Sequence, residues 1–268
     1  MSLIKILFIG DIVGNAGLNA VRLFLPALKQ KHDIACVIVN GENAMEGKSI
    51  SEQQYRELLE LGVHVITSGN HIWEKWHIQK LLATEQNLLR PANYPRDNAG
   101  RGFTVVPIGA AGSVGVLNIQ GRTFMSPIDC PFRTAEWAVE RLREHTPIIL
   151  VDIHAEATAE KIAMGWFLDG RVSAVVGTHT HIQTADAKIL PGGTAFITDV
   201  GMTGPYDSVV GMRKDIALRR FIKQTPHKFE MATDDVHLSA VLITVDIASG
   251  KARSIEPLTL PEFSRHAE

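Results

Sequence analysis

Five short segments share one pattern: an apolar run ends, and oxygen or nitrogen ligands follow at once. They are Gly10-Asp11, Gly41-Glu42-Asn43, Gly69-Asn70-His71, Asp152-Ile153-His154 and Gly177-Thr178-His179-Thr180-His181. Each alone has an ordinary reading. Gly10-Asp11 and Gly41-Glu42-Asn43 suit turns or helix caps, and a lone His154 suits a hydrogen-bonded structural histidine. His179 and His181, two positions apart, would place both imidazoles on one side of an extended segment, which suits a metal. Five such segments in one chain read as one site. The donors are Asp, Glu, Asn and His, with no thiolate, which fits Mn, Fe or Zn rather than a cysteine-built structural zinc. Asp11, Glu42, Asn43, Asn70, His154, His179 and His181 are too many for a single ion. Two divalent ions per chain, sharing a bridging carboxylate, would use them all. Such pairs, roughly 3.5–4 Å apart, activate water and clamp the attacking and leaving oxygens of a displacement at phosphorus.

The elements that must position these residues are legible as alternating strands and helices. Leu3–Gly10, Ala35–Asn40 and Val63–Thr67 read as buried strands. Helical spacing fills Leu18–His32, with a kink or second start at Pro26. Ser51 opens a second helix with Gln54 as its capping-box partner, running to Leu61, and Glu74–Thr84 reads as a third. This βαβαβα order predicts a parallel sheet covered by helices. Further strands are expected at Phe103–Pro107, Ser113–Gln120, Pro147–Ile153, Val172–Val176, Ala187–Leu190 and Ala195–Thr198, and at Leu238–Ile247 with Ala252–Leu258. Helices are expected at Thr134–Glu144, Glu156–Leu168 and Lys214–Lys223. In open α/β sheets ligands bind outside the carboxyl ends of the strands, where the five segments fall. With no repeat and no polar linker, residues 1–268 read as one domain of α/β class, two packed sheets with helices outside.

Composition narrows the function classes. The 268 residues carry 27 Lys plus Arg against 29 Asp plus Glu, a net charge of −2. No basic stripe of the kind that holds long nucleic acid stands out, so no extended nucleic-acid groove is expected. Cys36 and Cys130 have no metal or redox spacing and read as apolar thiols. No targeting segment and no membrane span is read, which predicts a cytoplasmic protein without a membrane partner. A homo-oligomer is expected.

The order Gly-Asp, Gly-Glu-Asn, Gly-Asn-His, lone His, Gly-x-His-x-His resembles the calcineurin-like metallophosphoesterases over residues 8 to 181. Downstream, Leu190-Pro191-Gly192-Gly193-Thr194 and Thr198–Ser208 resemble a narrower bacterial branch, the YmdB-like phosphodiesterases. The resemblance implies a four-layer α/β/β/α sandwich of two mixed sheets flanked by helices. It also implies a dinuclear centre at strand ends. Two departures from the wider family fit the branch: Val13 stands where a His is usual, and Glu42 where an Asp is usual. Carried over residue by residue, one ion would take Asp11, Glu42, Asn43 and His181, and the other Glu42, Asn70, His154 and His179, with Glu42 bridging. The oxygen-rich set favours Fe or Mn over Zn, with Zn, Mg and other divalent ions as the alternatives. In the family the histidine at His71 faces substrate and protonates the leaving oxygen, a task suited to a pKa near 6.5.

The function expected is that of a metal-dependent phosphodiesterase in which a metal-bridging hydroxide attacks a small diester, with 2′,3′-cyclic nucleotides as the expected substrates. A phosphomonoesterase such as a nucleotidase is the second reading. A regulatory protein that binds nucleotide or RNA with little turnover is the third. No Arg or Lys falls within the five segments; Lys48 and Lys75 lie just beyond. Trp73 and Trp76 would either wall a base pocket or pack. Tyr206-Asp207-Ser208 has no chemistry derivable from its residue types, and His32, His64, His77, His145, His227, His237 and His266 read as surface or structural.

Overall fold

In a computed structural model, which describes residues 2–263, two six-stranded sheets lie face to face with helices on both outer sides. The first sheet is built on β1 (Leu3–Ile9), β2 (Ile34–Asn40) and β3 (Val65–Thr67), which run parallel. β1 also pairs antiparallel with β11 (Val236–Asp246), which carries β12 (Ala252–Leu260) and the two-residue β10 (Gly204–Pro205). The second sheet runs β4 (Phe103–Pro107), β5 (Ser113–Gln120), β6 (Ile149–His154), β7 (Ala174–Thr178), β9 (Ala195–Ile197) and β8 (Lys188–Ile189). Its four inner strands, β5, β6, β7 and β9, are parallel.

The alternation of side chains along each strand builds the layers. On β1, Leu7 and Ile9 pack with α1 (Gly14–His32), α2 (Glu52–Glu60) and α3 (Ile78–Thr84). Ile4, Ile6 and Phe8 point the other way, into the seam between sheets, where they join Val114, Val116, Leu150 and Val176. On β6, Ile149, Val151 and Ile153 face α4 (Pro131–Arg143) and α5 (Thr158–Leu168). The result is the expected α/β/β/α order. Each large side chain fully buried in the seam contributes roughly 1.5–3 kcal/mol. The Ser51 capping box forms in both directions, at 3.2 Å and 3.0 Å.

Because β1, β2 and β3 run parallel, as do β6 and β7, their carboxyl ends gather at one edge of each sheet. Residues 199–203 lace the two edges together. Val200 N–H bonds the Gly177 carbonyl in the second sheet, and Thr203 N–H bonds the Asp11 carbonyl in the first. Gly10 is required at this crossing, since a Cβ there would lie 1.9 Å from the Gly201 carbonyl oxygen.

Four helix starts differ from expectation. α1 begins at Gly14, one turn before the expected Leu18, and runs unbroken through Pro26. The helix read from Glu74 is instead a short 3-10 turn, Asn70–Glu74, followed by extended Lys75 and then α3. His71 N–H is diverted to Glu42 Oε2 at 3.0 Å, so this turn serves the site rather than a helix. α4 begins earlier, at Pro131, whose fixed φ and missing N–H suit a first helical position. α5 begins later, at Thr158. Among the described residues no helix is long and apolar enough to cross a membrane.

Candidate metal centre

Glu42, His154 and His179 form the densest cluster, with ligand atoms within 4.8 Å of one another. Each comes from a different strand end: Glu42 follows β2, His154 closes β6 and His179 follows β7. His154 Nε2 lies 3.1 Å from Glu42 Oε1 and 3.0 Å from His179 Nδ1. Asp11 sits beside them, fully buried, with Oδ2 accepting His179 N–H at 3.2 Å and Oδ1 3.9 Å from His154 Nδ1. His181 is close enough to Asp11 to bias its titration. Asn43 and His71 close the other side, with Asn43 Nδ2 3.1 Å from His71 Nδ1. Asn70 follows Gly69, a position at which a Cβ would lie 2.1 Å from the His154 ring and 2.5 Å from Glu42 Oε2.

The decisive feature is what these groups lack. Asp11 Oδ1, Asn43 Oδ1 and Asn70 Oδ1 are buried and accept no hydrogen bond. A buried oxygen without a donor costs about 1–3 kcal/mol, and three of them beside clustered imidazoles are oxygens suited to a cation. The residues therefore fit a divalent metal, and they fit a hard or borderline ion better than a thiophilic one.

Ionisation follows from the same crowding. Burial pushes the Asp11 carboxyl up, while His181 and His154 pull it back. Burial would also raise Glu42, but charge and hydrogen bonds from His154 and His71 outweigh it and hold Glu42 well below the usual range. His154 is raised to about 9: burial opposes its charge, but Glu42 and Asp11 overcome that. Burial and then the His154 charge depress His179 to about 3. One proton thus belongs to His154, and a cation taken by the same nitrogen would replace it.

Behind the cluster lies a polar layer that orients it. His154 Nδ1 meets Thr178 Oγ1 at 2.9 Å, and that hydroxyl donates to Asp152 Oδ1 at 2.7 Å. Thr178 must therefore accept the His154 Nδ1–H, which turns Nε2 toward the site. Asp152 is itself held by Thr67 at 2.5 Å and Asn40 at 3.1 Å. Asn40 Oδ1 in turn accepts Glu42 N–H at 3.1 Å.

The His179-Thr180-His181 segment is not extended, as period-two spacing predicted. His179 and His181 have φ of 96° and 66°, and their rings reach different partners. Lys161, buried on α5, ties the turn down. Its Nζ bonds Asp199 Oδ2 at 2.7 Å and Thr180 Oγ1 at 3.2 Å, and Asp199 also accepts both Thr180 N–H and its hydroxyl. His181 Nδ1 meets the Val210 carbonyl at 3.0 Å. Val210 is presented by a loop that Ser208 closes: its hydroxyl donates to the Pro205 carbonyl and accepts Gly211 N–H. Tyr206 is pinned to Met202 and Ser239. The 204–211 segment, opaque from residue types alone, thus fixes the tautomer of His181.

A cavity of about 690 Å³ opens over the cluster, with His71, His179 and His181 among its lining. Arg220 and Phe221 of α6 (Lys214–Lys223) and the more distant Phe229 also line it, and sequence reading missed all three. α6 carries an amphipathic pattern, but nothing local to it marks its reach toward the metal ligands. Lys48 lines the cavity too and pairs with Glu74 at 3.1 Å. Trp73 packs on Tyr94 with ring centroids 5.3 Å apart, and Trp76 is 87% exposed; neither walls this cavity. Of the remaining histidines, His64 and His237 are hydrogen-bonded within the fold, and His266 lies outside the described residues.

Comparison with known proteins places this arrangement. A family model described as YmdB-like protein matches residues 7–258. A Bacillus subtilis protein named 2′,3′-cyclic-nucleotide 2′-phosphodiesterase is 47% identical over 96% of this chain and 97% of its own length. A Mycoplasma pneumoniae phosphatase structure superposes with a TM-score of 0.91 at 34% identity, over 97% of this chain and 94% of that one. A hypothetical protein from Thermus thermophilus superposes at 0.87 with 41% identity, over 96% and 98%. The fold, the strand-end donors and these relatives agree, and the chain belongs to the YmdB-like family.

Proposed function

We propose that this chain is a two-metal phosphodiesterase acting on a small cyclic diester of the 2′,3′-cyclic nucleotide class. The observation that carries the reading is the set of donor-free buried oxygens beside the imidazole nitrogens, under a cavity that His71 lines. The substrate class is supported by the name of the B. subtilis relative. One ion would be held by Asp11, Glu42, Asn43 and His181, and the other by Glu42, Asn70, His154 and His179. The tight Glu42–His154–His179 cluster supports the second set. Bound, such a pair supplies Lewis acidity and an activated water. The oxygen-rich set favours Fe or Mn.

His71 serves as the acid for the leaving oxygen. Its ring is anchored through Nδ1, 3.2 Å from Glu42 Oε1, and Nε2 has no hydrogen-bond partner among the described residues. A cyclic diester leaves as a poor alkoxide, which needs that proton. Arg220 is a cation beside the cavity with no carboxylate partner among the described residues, and it suits the more highly charged monoester of the nucleotidase reading. The deciding experiment compares kcat/KM for a 2′,3′-cyclic nucleotide and its ring-opened monophosphate with Mn²⁺ or Fe²⁺. Faster ring opening is expected; faster phosphate release from the monophosphate would overturn the diester reading. Metal analysis of Glu42→Ala checks the bridge separately: both ions should be lost together, and a fully metallated variant would remove Glu42 from the bridging role.

A further inference from the structure

A second cavity, of about 610 Å³, shares no lining residue with the one over the metal cluster. It lies between the segment leading into β4 and the first turn of α4. Arg90, Arg96, Arg101 and Arg133 line it, with Asp129 as the one carboxylate among its lining residues. None of the four arginines has an ion-pair partner among the described residues, whereas Arg22, Arg56, Arg171 and Arg213 elsewhere all do.

Arg90 is the telling member. It is only 6% exposed, and its Nη1 donates to the carbonyls of Pro91 and Ala92 at 2.9 and 3.2 Å. Its Nε finds no acceptor. Burial presses the guanidinium below arginine's usual value. A buried guanidinium without a counter-charge is costly, and an anion in the cavity would supply that charge. The amino end of α4 opens on the same space through Cys130, Arg133 and Thr134, adding a helix terminus that favours anions. Trp137, 43% exposed, stands on the wall edge-on to Phe103 at 5.6 Å. Arg96 lies over its ring at 5.9 Å.

We propose that this arginine-lined cavity is a second binding site, separate from the metal centre, for a nucleoside monophosphate. Arg90, Arg101 and Arg133 hold the phosphate, and the Trp137–Phe103 surface takes the base. Charge-assisted, forked contacts to phosphate oxygens are what guanidinium groups provide, and the cavity has the size of a nucleotide pocket. The proposal does not depend on which ester the metal centre hydrolyses.

The test is calorimetric titration of 5′-AMP into the metal-loaded protein and into an Arg101→Ser/Arg133→Ser variant. Both arginines are exposed, so the variant should fold; Arg90→Met is a further probe that risks the fold. The wild type should show a class of sites that the double variant binds about 10- to 100-fold more weakly. Its kcat and KM for bis(4-nitrophenyl) phosphate should stay within about twofold of wild type. An unchanged isotherm would overturn the proposal. So would a KM that rises in step with the loss of AMP, because the arginines would then serve the metal-side cavity. Sedimentation velocity covers the remaining source of anions. If wild type takes up no AMP at this class and the double variant dissociates an oligomer, the cavity receives carboxylates from a second copy, and the nucleotide proposal fails.

Discussion

Lys161 and Asp199 form a fully buried ion pair, 2.7 Å apart, directly beneath Thr180, the residue between the two histidines of the metal-type turn. The pair lines neither the cavity over the metal cluster nor the arginine-lined cavity, and it holds a backbone at positive φ. Non-glycine residues at positive φ are uncommon and persist where the surroundings over-determine them.

Removing one partner strands a buried charge. Lys161→Met or Asp199→Asn should each cost about 3–5 kcal/mol of stability, while the double variant should recover part of that loss. Each single variant should also hold less metal per chain, because His179 and His181 are no longer fixed. Denaturant titration together with elemental analysis checks both. Full metal content in a clearly destabilised Asp199→Asn would make the pair a matter of stability alone.

Thr178 works through His154. Thr178→Val keeps the shape but removes the acceptor of the Nδ1–H and one donor to Asp152. Loss of such an orienting contact typically costs 10–100-fold in metal affinity. Chelator competition should show that drop. An affinity within twofold of wild type would mean that the ring is oriented by packing rather than by the hydroxyl.

His71→Ala should keep its metal and lose turnover. The loss should reach about 10²–10⁴-fold on a cyclic nucleotide. It should be much smaller on bis(4-nitrophenyl) phosphate, whose leaving group scarcely needs a proton. An equal loss on both substrates argues for a positioning role instead.

His64 gives the pH dependence of stability a local source. Its Nδ1 accepts Val37 N–H at 3.1 Å and so must stay unprotonated in the fold. Burial, then the nearby Lys29 charge, hold its pKa below the ordinary 6.5. The unfolded chain takes up this proton at higher pH than the folded one. Stability is therefore fully present above 6.5 and declines as pH falls below it. His64→Gln should flatten the fall in Tm between pH 7 and 5.5 relative to wild type; parallel curves would assign that fall to other groups.

What the sequence made legible was local. Asp11, Glu42, Asn70, His154 and His179 could be singled out because each sits at the end of an apolar run, a pattern read within a few residues. The strands other than the two-residue β10 were found from their apolar residues as well. The pairings that support those side chains were invisible. Asn40 and Asp152 are 112 positions apart, and Lys161 and Asp199 are 38 apart. A buried Thr or Lys carries no periodic signal of its partner. Arg220 lies on a helix whose local pattern carries no mark of the site it reaches. The period-two reading of His179 and His181 failed because the turn is held by contacts that only the tertiary fold supplies.

Asp11 and His179 are joined by a hydrogen bond across 168 positions of chain, one from each sheet. A ribosome must therefore release residue 179 before Asp11 can meet His179. Long-range pairings of this kind form late and slowly. No truncated product ending before the second sheet can assemble the centre, and a misdocked pair of sheets cannot either. Catalytic competence is thus a built-in inspection of the finished chain: a molecule that hydrolyses its ester has, by that act, reported that its two halves met in register.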